Sequence, residues 1–153
     1  MTPLDIDNII DLATKHINTT WAFHIHNKND VKITELIVSE ILSKVDNEVL
    51  QRLYFGIGFE DEFQIYNKNA IKNRIYSYDI KDLDSTDEIF TEYCNMNGIK
   101  VVSIQRDIAL KKYELIKKLK NNNIKIMVYT ENNFICKMMF WIMGVDIIET
   151  DNL

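Results

Sequence analysis

Apolar positions along this chain alternate between two spacings. Leu4, Ile6, Ile9, Ile10 and Ala13 recur at the three-to-four-residue interval of one helix face. The stretch that follows, "TTWAFHIH" (19–26), is dense in β-branched and aromatic residues, the composition of a strand. The first helix is expected to open at once, with Thr2 as its cap, Pro3 at the first helical position and Asp5 in a capping box.

The rhythm repeats to the end. "KITELIVSEILSKV" (32–45) predicts a helix and "RLYFGI" (52–57) a strand; a short helix over 60–69 leads to the strand "RIYSY" (74–78). Ser85 or Thr86 caps a helix running to about Asn97, before the strand "IKVVSI" (99–104). Asp107 is expected to cap one helix through Lys120, "NNN" turns the chain, and "IKIMVYT" (124–130) is the fifth strand. A last helix (133–142) meets Gly144 as its stop signal, and "VDII" (145–148) is the sixth strand. Short apolar strands alternating with helices predict an α/β protein with parallel strands and right-handed crossovers. Periodicity does not separate an open parallel sheet from part of a (β/α)8 TIM barrel; in both, ligands bind at the C-terminal ends of the strands.

Composition narrows the function classes. The chain has 153 residues, is 46% hydrophobic and contains one proline and four glycines, so a single domain over 1–153 without a linker is expected. A net charge of -5 argues against nucleic-acid binding, which needs clustered Lys and Arg to release counterions. The basic stretch "KKYELIKKLK" (111–120) is interrupted at helical spacing and reads as a solvated helix face. Cys94 and Cys136 form no CxxC pair, and no signal peptide is visible; a reducing, cytoplasmic setting is expected. The most apolar stretch, "FICKMMFWIMGV", is too short for a membrane span and contains Lys137; a buried helix flowing into a strand is expected instead.

Candidate chemistry is therefore sought at strand C-termini. His24 and His26, two apart on a strand, point to the same face, where a pair of imidazoles can ligate a metal or move protons. The same spacing also suits a packed, hydrogen-bonded histidine pair without metal. Phe59, Glu60 and Asp61 follow the second strand; Tyr129, Thr130, Glu131 and Asn132 end the fifth; Glu149, Thr150 and Asp151 end the sixth. Helix capping is enough to explain Glu60, Asp61 and Asn132. The chain contains no glycine-rich phosphate loop and no GxSxG elbow.

The ordered set of motifs resembles one family. "IKIMVYTENN" followed by "GVDIIETD" is similar to the C-terminal end of glycerophosphodiester phosphodiesterases, with Tyr129 in place of a Trp, and Thr130, Asn132, Gly144, Val145, Asp146, Ile148, Thr150 and Asp151 matching. "FGIGFEDEFQI" looks like the family strand ending in Ser-Phe, and "TWAFHIHNK" like the strand carrying Glu-Ile-Lys. The resemblance spans nearly all of this chain but only the later two-thirds of the family's barrel. It implies a metal-dependent hydrolase of glycerophosphodiesters or related phosphodiesters, with Mg2+ or Ca2+. On that basis Phe59 and Tyr129 are expected as apolar walls of a substrate site, His26 at the phosphate position and His24 at the metal position. Glu131, on the same strand face as Tyr129, is added as a second metal ligand from its position alone.

The departures are equally specific. The family's His-Arg-Gly, Glu-x-Asp and second catalytic His precede the Glu-Ile-Lys strand, and have no counterparts here. His24 and His26 replace the Glu and Lys of that strand, and imidazole is a poorer ligand than carboxylate for an oxygen-loving cation. A complete barrel takes about 250 residues. The expectation is an incomplete hydrolase, inactive or weakly active alone, with an N-terminal partner chain or a second copy covering its sheet edges. The alternatives are a non-catalytic α/β interaction module that pairs those edges with a partner, and an open-sheet enzyme binding a transition metal through His24 and His26.

Overall fold

The computed structural model describes residues 5–23, 31–57, 60–78, 82 and 85–151. The chain divides into two compact units, Met1–Asn73 and Arg74–Leu153. In the first, helix α1 (Ile6–Lys15) precedes strand β1 (Trp21–Phe23); α2 (Val31–Lys44) and the short α3 (Asn47–Leu50) precede β2 (Leu53–Ile57), and α4 (Glu60–Lys68) follows. In the second, β3 (Arg74–Tyr78), α5 (Asp87–Met96), β4 (Val101–Gln105), α6 (Arg106–Ala109), α7 (Tyr113–Asn121), β5 (Lys125–Tyr129), α8 (Phe134–Ile142) and β6 (Ile147–Ile148) run in order. Strands β1 and β2 pair in parallel, with Trp21 opposite Leu53. Strands β3 to β6 are neighbours in chain order, also parallel, with Ile75 opposite Val101, Val101 opposite Lys125 and Met127 opposite Ile147. The predicted α/β alternation is therefore present in each unit.

Strand burial follows from parallel pairing under helices. Leu53, Phe55 and Ile57 of β2 are buried with Val38, Ile41 and Tyr66, and the Tyr66 hydroxyl donates to the Gly56 carbonyl at 2.9 Å. In the second unit Val101, Val102 and Ile104 of β4 and Ile126, Met127 and Val128 of β5 are buried in near-continuous runs. Leu115, Ile116 and Leu119 of α7 are buried as well. Such runs are what strands covered on both faces require.

Two helix starts differ from the sequence expectation. Asp5 itself caps α1, accepting from the Asn8 amide at 2.8 Å, and Thr2 and Pro3 lie outside the described residues. The helix expected from Asp107 to Lys120 is two helices, and Asp107 is no cap: it lies in the first turn of α6, bonded to Arg106. A continuous helix would set Lys112, four residues from both Ile108 and Ile116, into the buried stripe. The break at 110–112 avoids this, and Lys112 pairs with Asp87 at 3.2 Å instead.

Four helices end alike. After α4, α5, α7 and α8 the chain turns through a positive φ at Ala70 (54°), Gly98 (62°), Asn123 (59°) and Gly144 (88°). The next residue's amide bonds back to the helix: Ile71 to Tyr66, Ile99 to Cys94, Ile124 to Leu119 and Val145 to Phe140, at 2.9–3.0 Å. This is the Schellman arrangement. All four returning residues, Ile71, Ile99, Ile124 and Val145, are buried, so each turn also anchors the chain ahead of the next stretch.

Candidate functional site

At the C-terminal ends of β4, β5 and β6 the second unit gathers its loop polar groups. The ladder between β5 and β6 extends beyond both strands: Glu149 N–H donates to Val128 O at 2.9 Å, and Glu131 N–H donates to Glu149 O at 3.0 Å. Glu131 is thereby drawn inward, to 1% exposure. Its Oε1 accepts from the Asn133 amide at 2.6 Å. Its Oε2 is buried without a hydrogen-bond partner, 3.9 Å from Nε of Arg106. Arg106 opens α6 directly after β4, and its Nε donates to Asp107 Oδ1 at 2.9 Å. Asp107, and then Glu131, hold the guanidinium above its ordinary pKa and so fully charged.

A second polar node joins β5 to the chain end. The Asn132 side-chain oxygen accepts from Thr150 Oγ1 at 2.8 Å and from the Asp151 amide at 3.1 Å. Lys137 of α8 donates to Thr150 Oγ1 at 3.1 Å. Asn133 caps α8, its Oδ1 accepting from Ile135 and Cys136 amides at 2.9 and 3.2 Å. At the other end of β5, Asp146 bonds the ladder with its side chain: Oδ2 accepts from the Ile126 amide at 2.8 Å, while Oδ1 takes Lys120 Nζ. After β3, Asp82 receives the Tyr76 hydroxyl at 2.8 Å and, on its carbonyl, the Ser85 hydroxyl at 2.7 Å. Both cysteines are free thiols; burial, and secondarily the charge of Asp82, pushes the Cys94 thiol up to about 12, which makes it unreactive.

Solved structures supply the comparison. No family model and no curated protein matches the chain. Glycerophosphodiester phosphodiesterases from Parabacteroides distasonis (TM-score 0.76, 14% identity) and Agrobacterium tumefaciens (0.66, 12%) superpose over 95% and 99% of this chain. An Oleispira antarctica phosphodiesterase in complex with the product sn-glycerol-3-phosphate superposes over 94%, with a TM-score of 0.67 and 12% identity.

The chain shares the fold of the glycerophosphodiester phosphodiesterases.

This favours the (β/α)8 type over an open sheet for the βα repeat. The chain spans 59% of the Parabacteroides phosphodiesterase and 56% of the Oleispira one. The residues of the phosphodiesterase-like ending have structural work here. Asn132, Thr150 and Asp151 tie the β5 loop to the chain end, and Asp146 supplies a ladder bond. This accounts for their spacing without asking them to touch a substrate.

Of the sequence-predicted site residues, His24, His26 and Phe59 lie outside the described residues. Tyr129 is half-buried at the last position of β5, opposite Gln105. Glu131 stands two residues on, enclosed, with a guanidinium as its nearest charge. Sequence reading missed Arg106; its position directly after a strand C-terminus was the available signal. Hard divalent cations take six or more oxygen ligands. Among the described residues no three His, Cys, Asp or Glu side chains converge, and Glu131 faces Arg106 rather than a second acid. The described donors do not fit a metal. A cavity of about 460 Å³ in the first unit, lined by Asn47, Leu53, Ala70 and Asn73 among others, lies at the N-terminal end of β2, the end from which this fold class does not bind ligands.

Proposed function

We propose that this chain is the later part of a metal-dependent phosphodiester hydrolase of the glycerophosphodiester phosphodiesterase type, inactive or weakly active by itself. The supporting observation is the fold likeness over 95% of this chain to an enzyme of which it spans only 59%. In this reading His26, Phe59 and Tyr129 border a glycerophosphodiester or related diester. A divalent cation, Mg2+ or Ca2+, belongs to this reading, with His24 as its candidate ligand on this chain and its remaining ligands from outside these 153 residues. The groups that the sequence resemblance implies for acid–base chemistry, His-Arg-Gly and the second catalytic His, come from outside these 153 residues.

The test is hydrolysis of glycerophosphocholine and of bis(p-nitrophenyl) phosphate by the purified chain with Mg2+, Ca2+ or Mn2+. The expected result is no turnover above the metal-only blank. Robust turnover that disappears in His24→Ala would overturn the claim of incompleteness.

A further inference from the structure

Helix α8, expected from its sequence to be buried, is instead turned inside out: of its nine residues only Phe140 is buried. Phe134, Ile135, Trp141 and Ile142 are 72%, 67%, 75% and 80% exposed, and Met138 and Met139 are exposed too. At about 100° per residue these six side chains fill one uninterrupted arc of roughly 160°. The opposite side carries Phe140, fully buried, with Cys136 and the helix's one charged residue, Lys137, both half-buried. A surface helix normally does the reverse. Aromatic side chains bury about 150–250 Å² each, so Phe134 and Trp141 alone leave on the order of 300 Å² of apolar surface open. Those two residues therefore reach the size of the largest patch on a typical monomer.

The patch is continuous in sequence with an open sheet edge. Gly144 and Val145 lead from α8 into β6, which ends the strand order of the second unit and, among the described residues, pairs only with β5. Ile147 on that strand is exposed as well. Beyond it, Glu149 and Asp151 are exposed and make no ion pair among the described residues.

We propose that α8 and the free edge of β6 form one docking surface for a strand-and-helix segment from outside these 153 residues. The segment's strand pairs with β6, its apolar helix face covers α8, and Lys or Arg at its rim meets Glu149 and Asp151. The proposal rests on the barrel reading above. In a closed barrel every strand has two neighbours, and about two-fifths of the Parabacteroides chain lies beyond what this chain matches. A lipid surface fits worse: bilayers offer nothing to unpaired strand amides and carbonyls. Interfacial helices also carry Lys and Arg on their polar face, whereas the single lysine of α8 is bonded inward to Thr150. A second copy fits worse because it brings a net charge of -5, and the same acidic rim, against its like.

The probe is the N-terminal two-fifths of the Parabacteroides distasonis phosphodiesterase, added as a separate polypeptide to the whole 153-residue chain. Light scattering is expected to show a monomer for the chain alone and a 1:1 complex with the probe. Amide hydrogen exchange should slow at least tenfold in α8 and β6 on complex formation. Trp141→Lys and Ile142→Lys, at positions already exposed, should keep the circular dichroism of the parent and weaken the complex at least tenfold. A monomer with unprotected α8 that ignores the probe overturns the proposal. So does a stable homodimer protected at α8, or binding of the chain to phosphatidylcholine–phosphatidylserine vesicles that Trp141→Lys abolishes. A complex that forms but hydrolyses no diester leaves the docking surface standing and removes the hydrolase reading. Hydrolysis by the chain alone, without complex formation, does the opposite.

Discussion

Glu131 holds its carboxylate where water cannot reach it, and its two oxygens have different circumstances. Oε1 satisfies the Asn133 amide, while Oε2 has only the guanidinium of Arg106 at 3.9 Å. A buried donor left without its acceptor costs about 1–3 kcal/mol, and a buried charge gains little unless it is fully bonded. Glu131→Ala is therefore expected to destabilise the chain by about 1–3 kcal/mol. Glu131→Gln keeps an acceptor for Asn133 and drops the charge, so its cost should be smaller, under about 1 kcal/mol. Urea midpoints at constant m decide the matter. Equal losses in the two variants would show that the charge opposite Arg106 holds the loop, not the amide bond.

Among the elements, the four matching helix ends invite a test in both directions. At φ 88°, Gly144 has no atom within 4 Å of where a Cβ would stand, so Gly144→Ala adds backbone strain without a clash. The expected loss is about 1 kcal/mol. Ala70 occupies the equivalent turn after α4 at φ 54° and already bears that strain. Ala70→Gly should stabilise by about 0.5–1 kcal/mol, a small gain because glycine also loosens the unfolded chain. Thermal unfolding of the pair should therefore shift in opposite directions. Gly144 and the "NNN" turn were legible as stops in the sequence. Ala70 was not, because alanine is the strongest helix former and its left-handed turn is imposed by the buried Ile71 that follows.

For the whole chain, the question is whether 153 residues hold a metal without help. A ligand that binds only the folded state stabilises it by about 2.7 kcal/mol at a hundredfold excess over Kd. With no three ligating groups converging among the described residues, millimolar Mg2+, Ca2+ or Mn2+ is expected to leave the melting temperature unchanged within about 1 °C. A rise of several degrees that vanishes in His24→Ala would place a working cation site on this chain alone.

The sequence by itself determined the alternation of helices and strands and the resemblance to one family. Both depend on local spacing and composition, which neighbouring residues carry with them. The split of α6 from α7 was not read from the sequence, which predicted one helix; it follows from the burial of Ile108 and Ile116 on either side of Lys112. Tertiary structure alone decided that Glu131, proposed as a metal ligand from its place on a strand, is enclosed beside Arg106, twenty-five residues away in the chain. It also decided that the apolar residues of α8 face outward while Lys137 faces in. Periodicity reports that a helix has an apolar side; which surface covers that side depends on what the rest of the chain, or another polypeptide, brings to it.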